Sequence, residues 1–275
     1  MKKVIFFILF MLHTMLFSEN LIIKNEKTIE SRFLTPNGYE REIYPKDSFG
    51  TYLRNLNLKE MGAPVLLYDG RKKFIESHIS VIDMPILPQD LIQCADAVIK
   101  LRAEYLYSKK DYDKISFNLT NGMEVPFSKF VKGERVKVKG NKTTWAKGNY
   151  KTGYGREIFE EYLKFIYTYA GTLSLSKEMK KTDIKDIEIG DVFIQGGLPG
   201  HAVIVVDIAV NKETGEKIMM LAQSYMPSQE LHILKSISFI SPWYKVEDAK
   251  LITPEWLFER GSLKNGKIKL SYRFI

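Results

Sequence analysis

Gly190-Asp191-Val192-Phe193-Ile194, Gly196-Gly197-Leu198-Pro199-Gly200 and His201-Ala202-Val203-Ile204-Val205-Val206-Asp207-Ile208 follow one another closely, and their reading decides the fold. The first run reads as a strand, the second as a tight connection and the third as a strand apolar on both faces. A strand of that kind is central in a sheet and covered on both sides. The loop Asn211-Lys212-Glu213-Thr214-Gly215 then leads into Lys217-Ile218-Met219-Met220-Leu221-Ala222-Gln223, its antiparallel partner. A hairpin centred on Lys212 sets His201 beside Gln223 at its open end, to within a residue of register. Facing side chains share one side of a sheet and lie close enough to interact.

Working outward, residues 88–107 carry a helical period, with Leu91, Cys94 or Ala95, Val98, Leu101 and Tyr105 on one stripe. Pro88 suits the first turn, where its missing N–H costs nothing. Cys94 then falls in the early turns of this helix, on its core side. Gly155 to Tyr169 reads as a second helix that stops at Gly171. The polar stretch 111–152 between them shows few clear elements and reads as an insertion. Towards the N-terminus, residues 19–45 look irregular, with Pro36-Asn37-Gly38 as a turn. Ser48 to Arg54 reads as a short helix, and Val65–Tyr68 and Ile79–Ile82 as strands, with Asp69-Gly70 as a turn. Leu231–Leu234 and Lys267–Phe274 read as further short strands. The fold class expected is α+β, a helix packed on an antiparallel sheet. Its parts are an N-terminal subdomain over 19–84 and a core over 85–275 with its insertion at 111–152.

Met1, Lys2 and Lys3 precede an apolar run from Val4 to Leu12, and Met15-Leu16-Phe17-Ser18 closes it before Glu19. A charged start, a short apolar centre and a small residue make the pattern of a cleavable secretory signal, placed at residues 1–18. The expected location is therefore periplasmic or secreted. Residues 1–18 hold two lysines and no acid, so the formal charge of +8 becomes +6 over the remaining 257 residues. The 45% hydrophobic and 12% aromatic content argues against disorder. No later segment is apolar enough to span a membrane.

Cys94 is the one cysteine, so no internal disulfide is available to an exported chain. It reads either as a small buried hydrophobe or as a nucleophile. A helix N-terminus favours thiolate over thiol, and a nearby imidazolium adds to that. In the second reading Cys94 attacks a carbonyl, His201 serves as base and then acid, and Gln223 holds the imidazole in place. Backbone N–H groups near Cys94, or the side chain of Gln93, are the candidate oxyanion donors.

The order of a cysteine opening a helix, Gly190-Asp191 on a strand and His201-Ala202-Val203-Ile204 on the next resembles the NlpC-type branch of the papain superfamily. That resemblance implies a helix on an antiparallel sheet, a Cys/His dyad with a polar third residue, and hydrolysis of amide bonds in cell-wall material. It departs from that pattern where Ser-Gly would follow the cysteine, and in the long separation of Cys94 from His201. The phrases Gln93-Cys94-Ala95-Asp96-Ala97, Gly190 to Asp207 and Leu221 to Pro227 are similar to the bacterial family called domain of unknown function 4846. Carried over, the nucleophile falls on Cys94, the base on His201 and the third residue on Gln223, with Asp207 and His232 as weaker candidates for that last place.

Other chemistry finds less support. His78 and His232 are isolated, no His-Glu-x-x-His or Cys-x-x-Cys spacing exists, and no metal or cofactor is implied. Glu157, Glu160 and Glu161 read as a solvated helix face. The basic, aromatic-interleaved run from Lys132 to Arg156 reads as a solvated loop, and export makes nucleic acid an improbable partner. Three functions then compete: an exported cysteine amidase or peptidase acting on cell-wall peptide, a binding module without catalysis on the same fold, and a lipid-directed acyltransferase or esterase.

Overall fold

His201–Asn211 is a strand, β8, in the computed structural model, which describes residues 21–237 and 241–266. The signal segment read at 1–18 and the strand read over 267–274 lie outside the described residues. Side chains on both faces of β8 are buried from His201 to Ala209, which is why Val, Ile and Ala fill it without alternation. Antiparallel neighbours flank it, β7 (Val192–Gln195) on one side and β9 (Lys217–Gln223) on the other. The sequence reading of β9 has the same bounds. Beyond β9 come β10 (His232–Leu234) and β2 (His78–Val81), and beyond β7 comes β14 (Leu263–Lys264). Together with β1 (Tyr39–Arg41) on β8 and β11 (Tyr244–Lys245) on β9, they make an eight-stranded antiparallel sheet. Residues 19–84 thus supply two strands of the same sheet that carries β8.

Cys94–Ser108 forms α3, which packs against β8 and buries Ala95, Val98 and Leu101. Its start corrects the expectation of a helix from Pro88. The Asp96 carboxylate accepts the Gln93 N–H at 3.1 Å, so the cap falls on Gln93 and Cys94 is the first helical residue. Arg156–Tyr169 forms α5 after Gly155, close to the reading, and buries Phe159, Tyr162 and Ile166. The short α1 (Ile29–Arg32) and α2 (Phe49–Arg54) precede α3, with Ser48 capping α2 through the Thr51 N–H. Val65–Tyr68 is no strand. Leu66 and Leu67 make isolated bridges to Lys72 and Gln229 around the Asp69-Gly70 turn, where Gly70 has φ +85°.

The insertion is more structured than its polarity predicts. It holds the hairpins β3 (Ser116–Asn118) with β4 (Glu124–Pro126) and β5 (Glu134–Lys139) with β6 (Lys142–Lys147), joined by α4 (Phe127–Val131). Phe117, Val125, Phe127 and Phe130 pack against α5, whose Tyr162 hydroxyl donates to the Val125 carbonyl at 2.8 Å. These few apolar residues, spaced irregularly among lysines, form a core only because α5 supplies the other side. Within the basic run Arg135 chelates Glu161, Lys151 pairs with Glu157, and Arg156 pairs with Glu104 and Glu160.

Candidate active site

The Cys94 end of α3 is pinned to the end of the sheet by the segment before it. Just beyond β9, Ser228 donates its hydroxyl proton to the Ile92 carbonyl at 2.9 Å, and the Ser224 hydroxyl lies between that carbonyl, at 3.0 Å, and the Gln229 carbonyl, at 2.7 Å. The Asp90 carboxylate takes the Ser228 N–H at 2.6 Å and the Gln93 side-chain amide at 3.0 Å. Gln93 is therefore engaged with Asp90, and the orphan N–H groups of the first turn of α3 remain the other candidate oxyanion donors. Cys94 itself is half-buried.

His201 opens β8 directly after Gly200, where the chain folds tightly. A Cβ on Gly200 would stand 2.4 Å from both the Gly197 carbonyl oxygen and the Thr172 hydroxyl, the latter at the start of α6 (Thr172–Glu178). The closing register of the hairpin then decides what His201 meets. From Val210↔Lys217 to Asp207↔Met220 the pairing is regular, but the next pairs are Val205↔Leu221 and Ile204↔Ala222. Val206 is thus an extra residue, a β-bulge. Without it Ile204 would face Gln223, and His201 would project from the opposite side of the sheet. With it, His201 and Gln223 share a face, and His201 Nε2 lies 2.7 Å from Gln223 Oε1.

A small apolar cover closes over this pair. The hairpin of β12 (Leu251–Ile252) and β13 (Leu257–Phe258) sets the Trp256 and Phe258 rings 5.2 and 5.8 Å from the imidazole, and Tyr225 stands at 4.7 Å. Burial lowers the His201 pKa to about 4, against the opposing pull of Gln223. Burial likewise pushes the Cys94 thiol up to about 11, and the N–H of Ala202, the residue after His201, opposes it. Both shifts favour the neutral forms at rest, a thiol and an uncharged imidazole, over the thiolate expected from the sequence. The thiol lies against the backbone beside His201, but no hydrogen bond joins Sγ to the imidazole among the described residues.

Sequence reasoning missed the groups behind Gln223. Its amide nitrogen lies 2.6 Å from Glu255 Oε2 and 3.5 Å from His232 Nε2. Lys73 Nζ lies 2.5 Å from the same Glu255 oxygen, 2.7 Å from Ser77 Oγ and 3.4 Å from His232 Nε2. Both charged side chains are more than nine-tenths buried. Nothing in the local sequence marks Lys73 or Glu255, which meet across 182 positions.

The other candidates lie elsewhere. Asp207 is beyond the bulge, on the opposite face from His201, where it accepts from Arg41 Nε at 2.7 Å and Arg54 Nε at 2.6 Å. His232 is fully buried and neutral, its Nδ1 bonded to the Glu230 carbonyl at 2.8 Å. Its place is behind Gln223, away from the His201 nitrogen. An open depression of about 1100 Å³ is bordered by Tyr44, Phe49, Arg102 and Glu188, and none of Cys94, His201 and Gln223 lines it. Among the described residues no group of three or more His, Cys, Asp and Glu side chains is placed to hold a metal ion.

Fold and site together define an α+β protein whose antiparallel sheet carries a buried His and Gln pair at one end, with a half-buried Cys beside it. The chain belongs to the family described as domain of unknown function (4846), whose model matches residues 29–265. No curated protein and no solved structure matches it.

Proposed function

We propose that the chain is an exported cysteine hydrolase, an amidase or peptidase acting on cell-wall peptide or a related extracytoplasmic amide, with an NlpC-type, papain-like core. Cys94 is the nucleophile, His201 the base and then the acid to the leaving amine, and Gln223 the residue that orients His201. The observation that carries this reading is the His201 Nε2 contact with Gln223 Oε1 at 2.7 Å, made beside the first residue of α3. That contact leaves Nδ1 as the nitrogen available to the thiol proton.

Neutral Cys94 and His201 do not exclude such chemistry. Burial penalises each charge singly, whereas passing the thiol proton to the imidazole creates two opposite charges together, each offsetting part of the other's desolvation. The first-turn N–H groups of α3 and the Ala202 N–H favour the thiolate side of that transfer. The absence of a membrane-spanning helix among the described residues is compatible with an exported protein.

A binding module without catalysis is the second reading, favoured by the raised thiol pKa of about 11 and lowered imidazole pKa of about 4. The pH dependence of Cys94 alkylation by iodoacetamide, with His201→Ala beside it, separates the two. Alkylation well below the free-thiol pKa of about 8.5, lost in the variant, is the outcome expected for the hydrolase. A thiol that reacts only on unfolding leaves the binding module.

A further inference from the structure

We propose that Glu255, held by Lys73, is a positioning residue: it fixes the direction of the Gln223 amide and through it the Nε2–H tautomer of His201. Its catalytic meaning rests on the cysteine-hydrolase reading, because that tautomer leaves Nδ1 bare as the proton acceptor.

The heavy atoms allow one consistent placement of protons. An ammonium has three donors and no acceptor. Lys73 directs its donors at Glu255 Oε2, Ser77 Oγ and His232 Nε2. His232 donates from Nδ1 to the Glu230 carbonyl, so its Nε2 carries a lone pair. The inner end of the Gln223 side chain therefore faces two acceptors, Glu255 Oε2 at 2.6 Å and His232 Nε2 at 3.5 Å. Only the amide nitrogen fits there, since the carbonyl oxygen would meet a carboxylate with no proton between them. The carbonyl oxygen is thereby turned to His201, and an acceptor at 2.7 Å requires the proton on Nε2. An amide has no preference of its own between its two orientations. The choice is made by a charge two residues removed from the imidazole, and Lys73 keeps that charge in place in a buried setting.

The experiment is long-range 1H–15N correlation on histidine-labelled protein at pH 7, with the His201 signals assigned from His201→Gln. Wild type is expected to show His201 protonated at Nε2. Glu255→Gln keeps an oxygen where both Lys73 and Gln223 donate, and it is expected to retain that pattern. Glu255→Met leaves the Lys73 ammonium facing Gln223. The amide turns its oxygen to the cation, its nitrogen faces His201, and the proton moves to Nδ1. Cys94 alkylation should then fall to the rate of His201→Ala.

An Nδ1–H tautomer in wild type or in Glu255→Gln overturns the proposal, as does an unchanged Nε2–H pattern in a folded Glu255→Met. If Glu255→Met does not fold, the other two spectra still decide. The spectra do not need a reactive cysteine. An inert Cys94 beside an Nε2–H His201 would sink the hydrolase reading and leave the role of Glu255 standing.

Discussion

His201 Nε2 and Gln223 Oε1 stand 2.7 Å apart because Val206 is one residue too many for the β8–β9 register. The bulge moves every pair at the open end by one position, which exchanges the faces of the sheet. The stability and titration of the site depend on that contact and on what covers it.

Replacing Gln223 by Leu leaves the His201 ring proton and the Glu255 oxygen without their shared partner in a buried setting. The expected loss is roughly 1–3 kcal/mol, read from urea unfolding. A loss within error would mean that water reaches both groups.

Trp256→Ala removes one of the rings over His201. Burial is the main cause of the lowered imidazole pKa, so uncovering the ring makes the charged form less costly. The titration midpoint, followed by NMR, should climb from about 4 towards the ordinary 6.5. An unmoved midpoint would assign the burial to Phe258 and Tyr225 instead.

Asp207→Asn tests the anchor beneath the sheet. Its carboxylate is fully buried between Arg41 and Arg54, so the variant leaves two guanidinium groups with no counter-charge. Breaking a buried pair in this way costs about 3–5 kcal/mol. Little change in the urea midpoint would contradict that, and Cys94 reactivity should not follow it, since Asp207 lies on the other face.

The pH dependence of stability should carry the mark of Asp96. Burial raises its carboxyl pKa to about 8, against 3.8 for an ordinary one. The folded state holds this proton after the unfolded state has lost it, so stability falls as pH rises through that window. The half-buried imidazole of His78 and the buried ones of His201 and His232, whose pKa values burial lowers, act oppositely below 6.5. Above that value Asp96→Asn, which keeps an acceptor for the Gln93 N–H, should flatten the fall by about 2 kcal/mol between pH 6.5 and 8. Parallel stability curves for variant and parent would refute the assignment.

Much of the candidate site's location is legible in the sequence. Val192–Ile194, the strand from His201 and the partner Lys217–Gln223 are continuous apolar runs between turn residues, and burial on both faces leaves such runs little choice of structure. The apolar stripe sets the start of α3 too early, since Leu91 fits the stripe of Val98 and Leu101 while Asp96 and Asp90 set the real boundary through hydrogen bonds. The insertion shows few clear elements in the sequence because its few aromatic residues gain a core only against Tyr162 and Phe159 of α5.

By itself the sequence determined the β7–β8–β9 meander, the two long helices and the presence of one thiol, one strand-opening imidazole and one amide at the end of a hairpin. These follow from local periodicity and turn chemistry, which act over a few residues. Tertiary structure alone decided that Val206 bulges, that Asp207 turns away to two arginines, and that Lys73 and Glu255 meet behind Gln223. Each of these is settled by burial of polar groups that must find partners, and the partners come from parts of the chain that only the packed sheet brings together.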